Sequence, residues 1–331
     1  MRDTSPTRRI WRGLGHAGFV ILLALATAWA ATALYIQLTG PVRIAALVAL
    51  GLAFLAILIL RFQKRRHAWA GFAVAVLAVG GWYQTIQPRQ DRDWAADVAH
   101  GVSGVVAGDQ VRLSNVRNFD WTSDSAATPR WESRSYDLSK LESVDMLTST
   151  WGDPNIAHLI VSFGFAGGEH VAFSVEIRRE SDEVFSSIGG FFRQFELVLI
   201  AADEADIVKL RTNYRGEDVH RFPVKLDAAQ RRALLLRYIA FGNELAEAPV
   251  FYNTVTANCA STVYGLVQVI KPDMPLDSRL LFSGQLPEYI DELGGLPGDM
   301  PMDQRRKLAA ISAVAKTVQP GQDFSGLIRG Q

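Results

Sequence analysis

The chain has 331 residues, 49% hydrophobic and 21% charged, and its 34 basic and 34 acidic residues cancel. The balance hides a division: the first 87 residues hold nine Lys/Arg and one acid (Asp3), the remainder 25 Lys/Arg and 33 Asp/Glu. An acidic body without a basic patch argues against nucleic acid as a partner, and a single cysteine excludes an internal disulfide framework.

Three apolar stretches fill the basic head, at about 17–38, 44–60 and 68–86, and read as transmembrane helices. Arg2, Arg8, Arg9 and Arg12 precede the first, and Arg61, Lys64, Arg65 and Arg66 separate the second from the third. Only Arg43 lies between the first and second. The positive-inside rule therefore puts the N terminus and the 61–67 loop in the cytoplasm. Three crossings then deliver the rest to the outside, which in a bacterium with two membranes is the periplasm. The expected organisation is a membrane domain at 1–87 in the inner membrane and one periplasmic domain at 88–331. Gln87 to Asp93 is the linker leaving the bilayer.

In the body, Val111–Val116 alternates as a strand does, and Ser133–Leu138 is a second candidate. His158–Phe165 and His170–Ile177 form the clearest pair, joined through Gly167-Gly168. A two-residue turn there pairs Ala166 with Glu169. His158 then lies across from Ile177, and Glu176 falls on the opposite face. Ser162 and Val175 share the histidine's face by that count. Phe195–Ala201 and Val219–Val224 are further strands. Asp227 to Gln230 is a capping box opening a helix to about Glu247. A helix from Cys259 stops before Lys271-Pro272, a short one spans Pro287–Leu293, and an amphipathic one covers Met302–Val318. The fold class is α+β, an antiparallel sheet with packed helices.

Cys259 carries the strongest chemical signal. Asn258 before it is a good N-cap, which sets the cysteine in a first helical turn, where free N–H groups and the helix dipole favour a thiolate. A buried structural cysteine is the alternative. A nucleophile needs a base. His16 and His67 lie on the cytoplasmic side, leaving His100, His158, His170 and His220. His158 is preferred because it stands at the lip of an apolar strand after the turn-like Gly152–Asn155. Glu176 is near enough in register to orient the imidazole if a bulge or twist turns it to that face. It can equally pair with an arginine. Tyr252 and Asn258 are candidates for an oxyanion pocket, with packing and capping as their other roles. No metal-ligand spacing and no Gly-rich phosphate loop is present, so no cofactor is expected.

Several blocks stand in one order: Asn115-Val-Arg-Asn-Phe-Asp120, Arg130-Trp131, Tyr136-Asp137-Leu-Ser-Lys140, His158 with Ser162-Phe-Gly-Phe165, Phe173-Ser-Val-Glu-Ile-Arg178, Phe195-Glu196-Leu197, Leu210-Arg-Thr-Asn213, and Phe251-Tyr-Asn-Thr254 through Asn258-Cys259. Together, over about residues 93 to 270, they resemble the Lnb-type N-terminal periplasmic domain family. That resemblance implies a papain-type fold of the permuted NlpC/P60-like branch, in which histidine precedes cysteine. It also implies chemistry like that of a lipoprotein intramolecular transacylase. Cys259 would form a thioester and His158 would move the protons. Three spans ahead of the domain depart from that enzyme's architecture, so the resemblance supports the thiol chemistry better than the substrate.

The sequence thus favours a membrane-anchored thiol acyltransferase or hydrolase acting on an ester or amide, with membrane lipid or a lipoprotein as substrate. Phe191, Phe192 and Phe195 are candidate guides for an acyl chain. A cell-wall amidase or peptidase is the second reading, and a membrane scaffold or sensor with an incidental thiol the third.

Overall fold

The computed structural model describes residues 6–330 and divides into two compact units. The first takes the chain up to Pro88 together with Ser187–Gln194, and the second takes Arg89–Ser186 with Phe195 onward.

The first unit contains α1 (Pro6–Gln37), α2 (Gly40–Gln63) and α3 (Arg65–Gln84). Gly13–Gln37 and Gly40–Gln63 are long and apolar enough to cross a bilayer. The third expected span does not meet that test. It is a helix, but Arg66 and His67 open it and Gly80 to Gln84 close it. Its apolar middle, residues 68–79, covers only about 18 Å at 1.5 Å per residue, against roughly 30 Å of hydrocarbon. α3 packs on its neighbours through Phe19–Phe72 at 5.9 Å and Phe19–Trp69 at 4.8 Å. Gly71 permits the approach, because a Cβ there would meet Ile57 at 3.3 Å.

The second unit is built on an eight-stranded, mostly antiparallel sheet. Its strands are β1 (Ser103–Ala107), β2 (Gln110–Arg117), β5 (Trp131–Asp137), β6 (Leu141–Thr150), β7 (Ala157–Phe165), β8 (His170–Arg178), β9 (Glu196–Ala202) and β10 (Asp218–Pro223). The short pair β3 (Asp120–Trp121) and β4 (Ala127–Thr128) stands apart. Strand order is β1-β2-β9-β8-β7-β6-β10, with β5 also on β2, and β2–β9 is the parallel pair. β6, paired between β7 and the edge strand β10, is absent from the sequence reading. Glu142 and Asp145 disguise it, yet Asp145 is buried because Arg221 and Arg329 each donate to it, at 2.8 and 2.7 Å.

β7 is buried at all nine positions, so both faces of the sheet are covered. On one face Leu159, Val161, Phe163, Phe173 and Val175 pack under α6 (Ala228–Glu247) and α7 (Cys259–Val267). Tyr238 closes on Phe163 and Phe173 with ring centroids 5.6 and 5.2 Å away. Alternate residues Leu147, Ile160, Ala172 and Ile200 form the other core with α5 (Glu204–Lys209) and with Ile311, Ala315, Phe324 and Ile328 from the C-terminal segment. The amphipathic helix expected at Met302–Val318 breaks after Ala309. Ala310 turns extended and bridges His220, while the Ile311 N–H donates to Val219. Sheet-edge hydrogen bonds displace helical ones there.

The second core also holds a buried ion pair. Asp206 accepts from Arg117 twice (2.9 and 3.0 Å), from the Phe119 N–H (2.8 Å) and from Trp121 Nε1 (2.7 Å). Removing one partner of such a pair leaves the other charge uncompensated. Asp206→Ala is therefore expected to lower the unfolding free energy by roughly 3–5 kcal/mol, measured by denaturant titration of the detergent-solubilised protein.

Candidate active site

α7 starts where local polar contacts tell it to. Asn258 Oδ1 accepts from the Ser261 N–H and Ser261 Oγ accepts from the Asn258 N–H, both at 2.9 Å, completing a capping box. The loop before it is tied by Asn253, whose Oδ1 accepts from the Val255 and Thr256 N–H groups at 3.0 Å. Cys259 is thereby fixed as the first residue of the helix, half-buried and free of any disulfide.

The hairpin that supplies the histidine has a different turn from the one expected. Phe165 pairs with Glu169 around three residues, Ala166, Gly167 and Gly168. The two glycines sit at φ +99° and +89°, where a side chain would be strained. The register is Ile160↔Ser174 and Gly164↔His170, one residue from the two-residue alternative. Because side chains alternate with a period of two, that single step reverses every pairing of faces. Glu176, expected on the far face, lies on the same side as His158. Ser162 does share the histidine's face, whereas Val175 is on the other, in the core beneath α6 and α7.

Ladder pairing between β7 and β8 ends at Ile160↔Ser174. Beyond it, the start of α7 meets the end of β7. There the Cys259 thiol comes near enough to the His158 ring and the Leu159 N–H for both to lower its pKa. His158 Nε2 lies 2.6 Å from Ser174 Oγ and 3.1 Å from Glu176 Oε1. Ser174 donates to that same carboxylate oxygen at 2.7 Å, and Arg211 does so at 3.0 Å. Arg211 also donates to Glu217 (3.2 Å), which accepts from Ser149. The side chains run as thiol, imidazole, carboxylate, guanidinium, carboxylate. Arg211 comes from a π-helical turn, Leu210–Tyr214, that continues α5. Such turns insert an extra residue and re-aim side chains.

Charges follow from this geometry. Burial and Arg211 oppose an imidazolium, but Glu176 and the thiol outweigh them and raise the His158 pKa to about 9. Burial pushes the Cys259 thiol up. The His158 hydrogen bond, its charge and the Leu159 N–H prevail, so the thiol pKa is held below its ordinary value. Burial likewise works against the Glu176 carboxylate, yet His158, Arg211 and Ser174 keep its pKa well below the usual range. The three together favour a thiolate–imidazolium pair.

The other candidates fall elsewhere. Asn258 engages both halves of its amide locally, the oxygen in the helix cap and one Nδ2 hydrogen on the Thr254 carbonyl (2.8 Å). Tyr252 stays near the sulfur: burial, then the charges of Cys259 and Glu176, raise its phenol pKa. His170 bonds the Gly168 carbonyl in its own turn, His100 meets Trp131 edge-on and His220 stacks on Phe222. Phe195 is wholly buried, and Phe191 and Phe192 belong to the helical unit. Among the described residues no cluster of three or more His, Cys, Asp or Glu is placed to hold a metal. Ser174, Arg211, Glu217 and Ser149 escaped the sequence reading of the site. Ser174 was accessible as the i−2 neighbour of Glu176, and Arg211 through its block Leu210-Arg-Thr-Asn213.

A cavity of about 450 Å³ lies between the α6–α7 layer and the sheet. Its walls include Leu159, next to His158, and Ala260, next to Cys259, with Val161, Val263, Val267 and Leu286 deeper in. Lys225 and Lys271 also border it.

The thiol should alkylate with iodoacetamide at pH values below the range of an ordinary cysteine, since only the thiolate reacts. His158→Ala is expected to shift the rate–pH profile to higher pH, and Glu176→Gln to shift it in the same direction by less. Unmoved profiles would remove the ion pair from the account.

Among known proteins, a family model described as the Lnb N-terminal periplasmic domain matches residues 127–297, a range that contains both His158 and Cys259. No curated protein and no solved structure matches the chain.

Proposed function

From the premise that this chain belongs to the Lnb N-terminal periplasmic domain family, we propose that it is a membrane-anchored thiol enzyme that takes an acyl group from an ester onto Cys259. The observation that carries this reading is the convergence of Cys259, His158 and Glu176, with the imidazole 3.1 Å from the carboxylate and the thiol pKa lowered beside it. The order histidine then cysteine, on a strand and on a helix start, is also what a permuted NlpC/P60-like core requires.

The thiolate attacks the ester carbonyl carbon. With Nε2 engaged by Ser174 and Glu176, Nδ1 is the ring nitrogen turned to the sulfur. Negative charge developing on the carbonyl oxygen is met by the Cys259 N–H, which in a first helical turn has no acceptor of its own. Collapse breaks the ester C–O bond, His158 gives its proton to the departing alkoxide, and a thioester remains. An amine or a water then attacks the thioester, His158 takes the proton, and the thiolate is released. An amine acceptor gives acyl transfer, with a lipoprotein N terminus as the fitting substrate. Water gives hydrolysis.

A largely apolar cavity whose lining includes Leu159 and Ala260, the chain neighbours of His158 and Cys259, supports a long-chain acyl group over a polar peptide. Cavities of roughly 300–1,000 Å³ take ligands of that size class. A long-chain ester probe is expected to label the wild type through Cys259, more rapidly than its short-chain counterpart. His158→Ala should slow labelling roughly 10²–10⁴-fold, the range of a positioned base. Cys259→Ser should abolish it. Labelling that survives Cys259→Ser would remove this cysteine as the nucleophile. Release of stem peptides from cell wall would favour an amidase instead.

The family and the two apolar helices fit an inner-membrane protein with a periplasmic body. Arginines at the N terminus favour its cytoplasmic retention. In intact spheroplasts, a membrane-impermeant maleimide should reach a cysteine placed at exposed Glu142 in a Cys259→Ser background. Labelling that appears only after lysis would put the body in the cytoplasm.

A further inference from the structure

The excursion between β8 and β9 is unlike any other connection in the second unit. It leaves that unit at Ser187, joins the three-helix unit through Gln194, and returns at Phe195. Within the excursion, α4 (Ser187–Phe191) exposes Ile188 at 60% and Phe191 at 49%, and the approach to it exposes Val184 and Phe185 at 80% and 54%. Four large apolar side chains in eight residues are the kind of patch that water does not tolerate singly placed on a loop.

Its attachment is specific. Gln37 at the end of α1 donates from Nε2 to the Phe192 and Arg193 carbonyls, at 2.7 and 2.9 Å. Arg193 donates to the Tyr83 and Ile86 carbonyls, at 2.8 and 3.2 Å, where α3 runs out, and its guanidinium covers the Tyr83 ring at 4.5 Å. Arg193 holds φ +58°, a left-handed conformation that non-glycine residues adopt at a cost of order 1–3 kcal/mol. These contacts offset that cost. Phe192 lies against Trp29 with centroids 5.8 Å apart, and Trp29 meets Tyr83 at 5.0 Å. Trp29 is eight residues inside the Gln37 end of α1, about 12 Å along the axis. The finger therefore reaches back along the helices instead of resting on their tips.

We infer that residues 187–192 form an interfacial finger that enters one leaflet of the bilayer beside the ends of α1 and α3. The occupant of its apolar surface is lipid. The surface is continuous with that of α1, whose Leu25, Trp29 and Tyr35 are themselves exposed, on a helix with the length and hydropathy of a span. Trp29, Tyr83 and Phe192 supply the aromatic belt expected at that depth, and Gln37 and Arg193 supply the polar groups at its rim. This inference stands on the helical unit and is independent of the chemistry at Cys259.

The chain's single cysteine makes the test clean. In a Cys259→Ser background, Ile188→Cys and, separately, Phe191→Cys are labelled with an environment-sensitive fluorophore, and the full chain is reconstituted in phosphatidylglycerol–phosphatidylcholine vesicles. Glu142→Cys, exposed on β6, is the comparison site. Emission from positions 188 and 191 should shift to the blue, and nitroxides on the lipid acyl chains should quench it while aqueous iodide does not. Position 142 should show the reverse. Quenching by iodide at 188 and 191 would overturn the inference. Protection from both quenchers would also overturn it, by showing that protein, such as a second copy, covers the finger.

Discussion

The Glu176 carboxylate is the charge on which the site depends. It sits between two cations, the His158 imidazolium and the Arg211 guanidinium, and its Oε1 accepts from Ser174 as well. Taking an unpaired carboxylate out of water costs several kcal/mol. Here alternation of sign along thiolate, imidazolium, carboxylate, guanidinium and the Glu217 carboxylate compensates each buried charge by its neighbours. The thiol is acidic because the imidazole is charged, and the imidazole is charged because Glu176 is. Arg211 does not reach the sulfur, yet it helps hold the carboxylate ionised, and Glu217 in turn holds Arg211 in place.

The same device recurs through the sheet. Arg117 and Asp206 anchor the β2 end of the second core, and Arg329 near the C terminus clasps Asp145 and Glu204 at 2.7 Å. Ser162, two residues along β7 from Ile160, donates to Glu204 at 2.6 Å. One face of the sheet is thus packed hydrocarbon under α6 and α7, and the other mixes hydrocarbon with satisfied ion pairs. The site lies where the two meet, at the end of β7, where the ladder to β8 stops. The Cys259 thiol arrives from the apolar side and its charge partners from the polar side. Buried polar networks fix one arrangement because any other leaves groups unsatisfied.

Much of this was legible in the chain. The N-cap at Asn258, the capping box at Asp227, the N-terminal position of Cys259, the six strands read from alternation or apolar runs and the basic apolar head are local patterns, carried by residues within a few positions of one another. His158 was preferred among four histidines for its place at the lip of an apolar strand, and it lies 3.1 Å from Glu176. Misreadings arose where non-local terms win. β6 carries charges whose partners, Arg221 and Arg329, are far along the chain. The helix expected through Met302–Val318 gives way at Ala310 because β10 offers an edge to pair with.

Sequence alone determined which groups exist to react, a lone thiol at a helix start and a histidine at a strand lip, because capping and alternation are short-range. Only the tertiary structure decided which groups keep them charged. One residue of hairpin register turned Glu176 toward His158, and a π-helical turn brought Arg211 to Glu176 from 35 positions away. Register and long-range charge pairing are settled by the packing of whole strands, so no window of sequence contains them.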